Sequence, residues 1–217
     1  MSMNLFGNWS NPLVIGKEID LESALRVLDR FNNRCQYCRL VVNPTPHTPL
    51  GHFVICNRNT HSNSEPSNWV CLCEMCADLN SLDNLNGKGS FIELGWAKQG
   101  QINALLRVSY SVALRESDQW GDLKKASERF LNAIDTRPES WSSIGWDGEP
   151  SRLAEMMNQM IWKPSSQAYL HKLRFRFDLA PYEDAIRFWA ASVESRYTNS
   201  FQALNVAAQQ LEDGNGE

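Results

Sequence analysis

Two pairs of cysteines are the side chains in this sequence whose types and spacing best support chemistry. Cys35 and Cys38 form the first pair, Cys73 and Cys76 form the second, and the 34 residues 39–72 lie between them. Each pair places two thiols on one tight turn, and four soft ligands from two rigid turns can surround one Zn²⁺ ion tetrahedrally. The pattern therefore predicts a single structural zinc ion bound by these four cysteines.

Two further cysteines and two arginines bear on this assignment. Cys71 could take the place of Cys73, but two residues between ligands allow both thiolates to face one ion, which favours Cys73. Cys56 and Cys71 are then interpreted as small buried apolar side chains. Arg34 and Arg39 flank the first pair and could offset the negative charge of four thiolates, or could be ordinary solvated surface charges.

The elements around the two pairs must bring them together. The gap between the pairs exceeds the roughly 15–20 residues of a zinc ribbon, so the two turns enclose an insert. We expect a short strand at 50–55, a polar loop at 57–68, and a segment at 69–78 that carries the second pair into a helix. A knuckle, a β-hairpin and a second knuckle at a helix start form a treble-clef finger, which this arrangement resembles.

A helix is also expected before the first pair, and more helices are expected after residue 98. Asp20 can cap the early helix. Its apolar stripe is formed by Leu21, Ala24, Leu25, Leu28 and Phe31. Later stripes at helical spacing are Ile102, Leu105, Leu106, Val112 and Ala113; Leu123, Ala126, Phe130, Leu131 and Ile134; Leu153, Met157, Met160 and Ile161; and Tyr182, Ala185, Ile186 and Trp189.

One late segment has the period of a strand. Leu173, Phe175 and Phe177 alternate with polar residues, as in a half-exposed strand or an extended segment beside a peptide groove. Together these patterns predict an α+β protein. It would contain a zinc module with a short β-hairpin and a helix at 1–98, a mainly α-helical C-terminal lobe at 99–211, and a disordered tail at 212–217.

Composition limits the class of protein. The chain has 217 residues, 42% of them hydrophobic, which is enough to build a core. A net charge of −4 argues against broad nucleic-acid binding, which needs a basic face. We see no signal peptide and no run near the ~20 apolar residues of a membrane span. We therefore expect a cytoplasmic protein, in which paired thiols more often bind metal than form disulfides.

The segment between the cysteine pairs resembles the HNH endonuclease layout on a ββα-metal scaffold. His52 lies near the position of that family's general base, and Asn68 near the asparagine that orients the base. Gly51 and Ala77 stand where the family often has a metal ligand and a histidine, and only Asn80 is polar and near enough to substitute. Without hard or imidazole ligands a hydrolytic site cannot clamp a phosphate or activate water. The segment is therefore interpreted as a degenerate HNH-like module.

Most of the chain resembles the DotN (IcmJ) family of type IVB secretion systems and the TraT-type counterparts on conjugative plasmids. The resemblance lies in the knuckle at 34–38, the Asn-rich loop leading to 67–70 and the second cysteine pair, and it is looser at 175–177 and Trp189. It implies a zinc module without nuclease activity, in an adaptor that binds the C-terminal tail of the coupling ATPase (DotL/TrbC-like) and other coupling-complex subunits. It also implies a bacterial cytoplasmic protein held at the inner-membrane face through its partner, without membrane insertion.

These expectations define a leading hypothesis and an alternative from a different class. The leading hypothesis is a non-enzymatic adaptor in which one Zn²⁺ joins a hairpin and a helix that burial alone would not hold together. Its helical lobe would present an apolar groove to the tail. The alternative is an HNH-type metal-dependent DNA endonuclease that uses His52 and Asn68. A third hypothesis, a zinc-dependent nucleic-acid-binding module, is disfavoured by the acidic net charge.

Overall fold

The structure is a computed structural model that describes residues 17–58, 65–80, 82–115, 121–135, 146, 149–153, 172–192 and 200–213. The helices whose full ranges lie in these residues are α1 (Leu21–Arg30), α2 (Glu74–Asp78), α3 (Gln99–Ala113), α4 (Gly121–Asp135), α5 (Glu183–Ser192) and α6 (Ser200–Glu212). The strands are β1 (Phe53–Asn57), β2 (Trp69–Cys73), β3 (Gly89–Glu93) and β4 (Leu173–Phe177). Short 3₁₀ turns cover Pro66–Asn68, Asp83–Leu85 and Ala180–Tyr182. The protein is thus mixed α/β with two small antiparallel sheets.

The chain divides into two compact units. The first consists of Met1–Leu85 and Tyr182–Val193, and the second of Asn86–Pro181 and Glu194–Glu217. This division differs from the expected boundary at residue 98. The strand β3 belongs to the second unit because its partner is β4, and α5 belongs to the first unit although it lies far along the chain. Strand pairing and helix docking between distant segments leave no local pattern from which this arrangement could be predicted.

In the first unit, α1 has the expected N-terminal cap but buries a different face. The Asp20 carboxylate accepts a hydrogen bond from the Ser23 backbone N–H at 2.8 Å, satisfying an amide at the helix start. The buried residues are Ala24, Val27 and Leu28. Leu21 (43% exposed) and Leu25 (37% exposed) lie outside this stripe, so their assignment to the core was wrong. The helix buries only one face, which includes Val27 and excludes Leu21 and Leu25.

The first sheet is the antiparallel pair β1–β2. Its register places Phe53 opposite Cys73, and all five residues of β2 are buried. Gly51 begins the turn into β1 with a positive φ of 58°. A Cβ atom there would lie 2.9 Å from Val42 Cγ1, so the position requires glycine. The expected hairpin between the cysteine pairs is therefore present, with β1 starting three residues later than the strand expected at 50–55.

The second sheet is the antiparallel pair β3–β4. Leu173, Phe175 and Phe177 are buried, and the residues between them are half-buried, as expected for a strand with one face on the core. Phe91 lies opposite Phe175, and their rings meet edge to face with centroids 5.1 Å apart. The alternation at 173–177 thus marks a core strand. The other interpretation, a segment beside a peptide groove, does not describe these buried side chains.

Side chains of α3 cover the outer edge of β4. The Gln99 amide donates to the Phe175 carbonyl oxygen and accepts from the Phe175 N–H, both at 2.7 Å. The Tyr110 hydroxyl donates to the Phe177 carbonyl oxygen at 2.7 Å. An uncovered strand edge can pair with another chain, so these bonds protect the sheet as well as fixing α3 to it.

The end of the described chain is ordered by an ion pair. Arg129 of α4 donates through Nε to the Glu212 carboxylate at 2.8 Å and through a terminal nitrogen to Gln209 at 2.7 Å. Glu212 is the last residue of α6, so the disordered tail expected at 212–217 was wrong at Glu212. Residues 214–217 lie outside the described residues.

Met157, Met160 and Ile161 of the expected third stripe also lie outside the described residues. Among the described helices, none is long and apolar enough to cross a membrane.

Candidate metal centre

Four cysteines from distant turns converge in the first unit. The ligand atoms of Cys35, Cys38, Cys73 and Cys76 all lie within 4.8 Å of one another, and all four residues are buried. The Sγ atoms of Cys38 and Cys73 are 3.7 Å apart. These are the four residues that the sequence predicted as ligands, and their arrangement could hold a metal ion.

The first pair lies on a hydrogen-bonded turn after α1. The Cys35 N–H donates to the Leu40 carbonyl oxygen at 2.8 Å, and the Arg39 N–H donates to the Cys35 carbonyl oxygen at 3.1 Å. Arg39 closes the turn with a positive φ of 63°. The two thiols are thereby directed to one side of a rigid turn.

The second pair lies where β2 passes into α2. Cys73 is the last residue of β2 and the N-cap residue of α2, and Cys76 lies three positions further on in the helix. A spacing of three residues places both thiols on the same side of the first helical turn. The Gln36 N–H donates to the Cys71 carbonyl oxygen at 3.0 Å, which ties the first turn to β2. The two pairs are therefore held together by backbone hydrogen bonds as well as by burial.

Burial also defines the electrostatics of the cluster. Desolvation raises the pKa of the Cys73 and Cys76 thiols well above the usual value, and the neighbouring cysteines contribute to the shift. Four buried thiolates cannot coexist without a compensating cation. A bound dication would supply that charge and displace the thiol protons.

The geometry fits a tetrahedral metal ion better than a disulfide. An ion with bonds of about 2.3 Å to each of four sulfurs keeps those sulfurs roughly 3.8 Å apart, close to the Cys38–Cys73 separation. A disulfide would bring two sulfurs to about 2.05 Å, and all six cysteines are free thiols. The residues present thus suit a soft metal ion with four thiolate ligands.

The two other cysteines lie outside the cluster. The Cys71 thiol donates to the Arg34 carbonyl oxygen at 3.1 Å, and Cys56 accepts from the Asn80 side-chain amide at 3.8 Å. Both residues are fully buried, and desolvation raises the pKa of each thiol to about 12. The four-cysteine cluster thus includes Cys73 and not Cys71. The side chain of Asn80 is directed to Cys56.

The structure does not bring His52 and Asn68 together. His52 precedes β1 at the end of the hairpin where Cys73 lies, whereas the Asn68 carbonyl oxygen accepts from the Arg58 N–H at the other end. The five-residue ladder between them spans about 17 Å at roughly 3.4 Å per residue. Asn68 is therefore not placed to orient the imidazole of His52.

The partners of His52 were not predicted from the sequence. Its Nδ1 lies 3.1 Å from Glu74 Oε1, and its ring packs against Phe188 and Trp189 at centroid distances of 5.4 and 6.4 Å. Glu74 stands immediately after a predicted ligand, but nothing in the sequence pairs it with a residue 22 positions earlier. The aromatic partners come from α5, which the sequence placed in a different domain.

No protein-family model matches the chain, and no curated protein matches it at a significant level. The functional argument therefore depends on the residues of the site itself.

Proposed function

We propose that the four-cysteine cluster binds one structural Zn²⁺ ion. The observation that carries this proposal is the convergence of four buried sulfurs at separations suited to tetrahedral coordination. Burial excludes water, so no coordination position would be open for a substrate. Zinc would therefore stabilise the fold by joining the turn at 35–38 to α2, without taking part in a reaction.

The first unit would then be a degenerate HNH-like treble clef. In support, a knuckle, a hairpin and a helix follow one another in that order, and the second cysteine pair opens the helix. The separation of His52 from Asn68 and the presence of Ala77 rather than a histidine directly after Cys76 support the loss of nuclease activity. A zinc-stabilised module without catalytic ligands is suited to present surfaces to a partner.

The protein would act as a non-enzymatic adaptor in a type IVB secretion or conjugative coupling complex, bound to the C-terminal tail of the coupling ATPase. This part of the proposal is supported by the sequence resemblance to the DotN family. The protein would lie in the cytoplasm at the inner-membrane face, held there by its partner.

One experiment tests the metal and the partner together. Tagged protein is recovered from its native host, its zinc content is measured, and the proteins that copurify are identified. We expect one zinc per chain and the coupling ATPase in the wild-type sample, with both reduced in Cys35→Ser. The matched control is Cys56→Ser, because Cys56 is an equally buried cysteine outside the cluster. Zinc-free wild-type protein that is fully folded would refute the metal assignment, and absence of the ATPase would refute the adaptor assignment.

An HNH-type endonuclease is retained as a second candidate because of one observation. His52 Nδ1 is hydrogen-bonded to the Glu74 carboxylate at 3.1 Å, an arrangement that orients an imidazole. This candidate predicts plasmid nicking with Mg²⁺ or Mn²⁺ that disappears in His52→Ala. If the wild-type protein nicks no plasmid with either Mg²⁺ or Mn²⁺, the endonuclease candidate is eliminated.

A further inference from the structure

The charge of the chain is distributed unevenly around the metal centre. Residues 30–64 contain four arginines, no lysine and no acidic residue, and therefore carry +4 with histidine neutral. The whole chain carries −4, so the residues outside this segment carry −8. The basic segment includes the first cysteine pair and β1, and it lies in the first unit, whose remaining residues carry −7.

The arginines next to the first cysteine pair differ from other arginines of this unit in their partners. Arg26 pairs with Glu22 at 3.4 Å, and Arg187 pairs with Glu183 at 2.7 Å. Arg34 and Arg39 are exposed, and their guanidinium groups make no ion pair or hydrogen bond within the part of the chain that the structure describes. Their guanidinium groups are thus available to a partner from outside.

The backbone of Arg39 gives a second, independent reason to assign a role to its side chain. Its φ of 63° lies in the left-handed region, where glycine is at ease and a residue with a Cβ is strained. The turn itself would be more stable with glycine here. An arginine kept at this cost, with its charged group in solvent, points to a function of the side chain outside the fold.

We propose that Arg34 and Arg39 form a docking surface for an acidic peptide segment. This inference rests on the proposed adaptor function and specifies the chemistry of its partner. Guanidinium groups bind carboxylates in paired hydrogen bonds, and a fixed turn presents two of them without further ordering. A nucleic acid is disfavoured because binding a dense polyanion requires a broad basic face, whereas two guanidinium groups match a few carboxylates.

The test measures the binding of labelled probes to the full-length, zinc-loaded protein by fluorescence anisotropy at low salt. The probes are a peptide of alternating Glu and Ser, the same peptide with Lys in place of Glu, and a short single-stranded DNA. We expect the acidic peptide to bind, to weaken as salt is added, and to bind roughly tenfold more weakly to Arg34→Gln/Arg39→Gln. The Lys peptide should not bind.

The matched control is Arg26→Gln/Arg187→Gln, which removes the same charge from two arginines that already have partners. It should bind the acidic peptide as the wild type does. Equal weakening in both double variants would show a general charge effect and overturn the proposal. Binding of the DNA in preference to the acidic peptide, with the same dependence on Arg34 and Arg39, would also overturn it and assign the surface to nucleic acid.

Measurement of the zinc content distinguishes a docking role of Arg34 and Arg39 from a role in offsetting the charge of the thiolates. Arg34→Gln/Arg39→Gln should retain one zinc per chain and an unchanged thermal transition, and loss of zinc would overturn the docking role.

The copurification experiment distinguishes failure of the docking surface from failure of the adaptor function. If the double variant still recovers the coupling ATPase, only the docking surface is refuted, whereas failure of the wild-type protein to recover it refutes the adaptor function itself.

Discussion

The indole N–H of Trp189 donates a hydrogen bond to the carbonyl oxygen of Gly51 at 2.9 Å, joining residues 138 positions apart within the first unit. Tyr182, just before α5, donates through its hydroxyl to the Asp78 carboxylate at 2.6 Å. The α5 helix and the tyrosine that precedes it therefore support both the turn into β1 and the end of α2. The candidate ligands all lie between Cys35 and Cys76, but the fold around them is completed by α5.

Trp189 should contribute strongly to stability. Trp189→Phe removes the donor to the buried Gly51 carbonyl and should lower the free energy of unfolding by about 1–3 kcal/mol. Trp189→Ala adds a cavity and should cost about 3–5 kcal/mol. Urea unfolding measures both, with the exposed neighbour Arg187→Ala as a control expected to change stability by less than about 1 kcal/mol. Equal effects of Trp189→Phe and Arg187→Ala would contradict the importance of the bond.

A fragment of residues 1–98 should not fold as an independent module. It lacks the indole that bonds Gly51 and the hydroxyl that bonds Asp78, so the turn into β1 and the end of α2 lose buried partners. We expect a broad, weakly cooperative thermal transition by circular dichroism and less bound zinc than in the full chain. A sharp transition at the temperature of the full chain would show that α5 is dispensable.

Zinc removal should destabilise the first unit reversibly. A strong chelator would leave four buried thiols without their common ion, and the turn at 35–38 would lose its covalent link to α2. Thermal unfolding should shift to lower temperature on chelation and return on addition of Zn²⁺. Cys56→Ser should respond as the wild type does, because Cys56 lies outside the cluster, whereas Cys35→Ser should show little response. Identical curves with and without chelator in the wild type would argue against structural zinc.

Gln99 should protect the second sheet from both unfolding and aggregation. Gln99→Leu leaves the Phe175 N–H and carbonyl groups without their side-chain partners and should cost about 2–5 kcal/mol. Light scattering should also rise, since the edge of β4 can then pair with another chain. Gln101→Leu is the control, because Gln101 only accepts from the Lys98 N–H at an exposed helix start. Similar losses in the two variants would contradict edge protection by Gln99.

Tyr110 should make stability fall at high pH. Burial raises the pKa of its hydroxyl from 10.0 to about 12, so the folded protein holds this proton when the unfolded chain has released it. The contribution of Tyr110 is thus fully present below pH 10 and is lost as pH rises towards 12. Below pH 10, Tyr110→Phe should be about 1 kcal/mol less stable because it lacks the bond to Phe177.

The difference in the free energy of unfolding between wild type and Tyr110→Phe reports on the Tyr110 hydroxyl alone, because other groups that titrate in the same range are common to both proteins. The stability gap between the two proteins should narrow, or change sign, between pH 10 and 12, by up to roughly 2–3 kcal/mol. Urea unfolding at a series of pH values measures the gap. A gap that stays constant over this range would show that Tyr110 ionises as readily in the folded protein as in the unfolded one.

The four-cysteine cluster and several elements could be predicted because their signals are local. Three signals each lie within a few residues: the spacing within each cysteine pair, the Asp20 cap and the alternation at 173–177. Such local signals can be recognised without knowledge of the fold. The stripe of α5 was also correct, with Tyr182, Ala185, Ile186 and Trp189 all buried. The choice of Cys73 over Cys71 followed from the same local geometry.

The tertiary structure alone decided which distant segments meet. Pairing of β3 with β4, packing of α5 against the turn into β1 and the bond between His52 and Glu74 each join segments far apart in sequence. Such pairings depend on which apolar faces bury one another best across the whole chain, and many pairings satisfy the same local periodicity. The sequence by itself therefore determined that four sulfurs can share an ion, whereas only long-range packing determined which helix completes the unit around them.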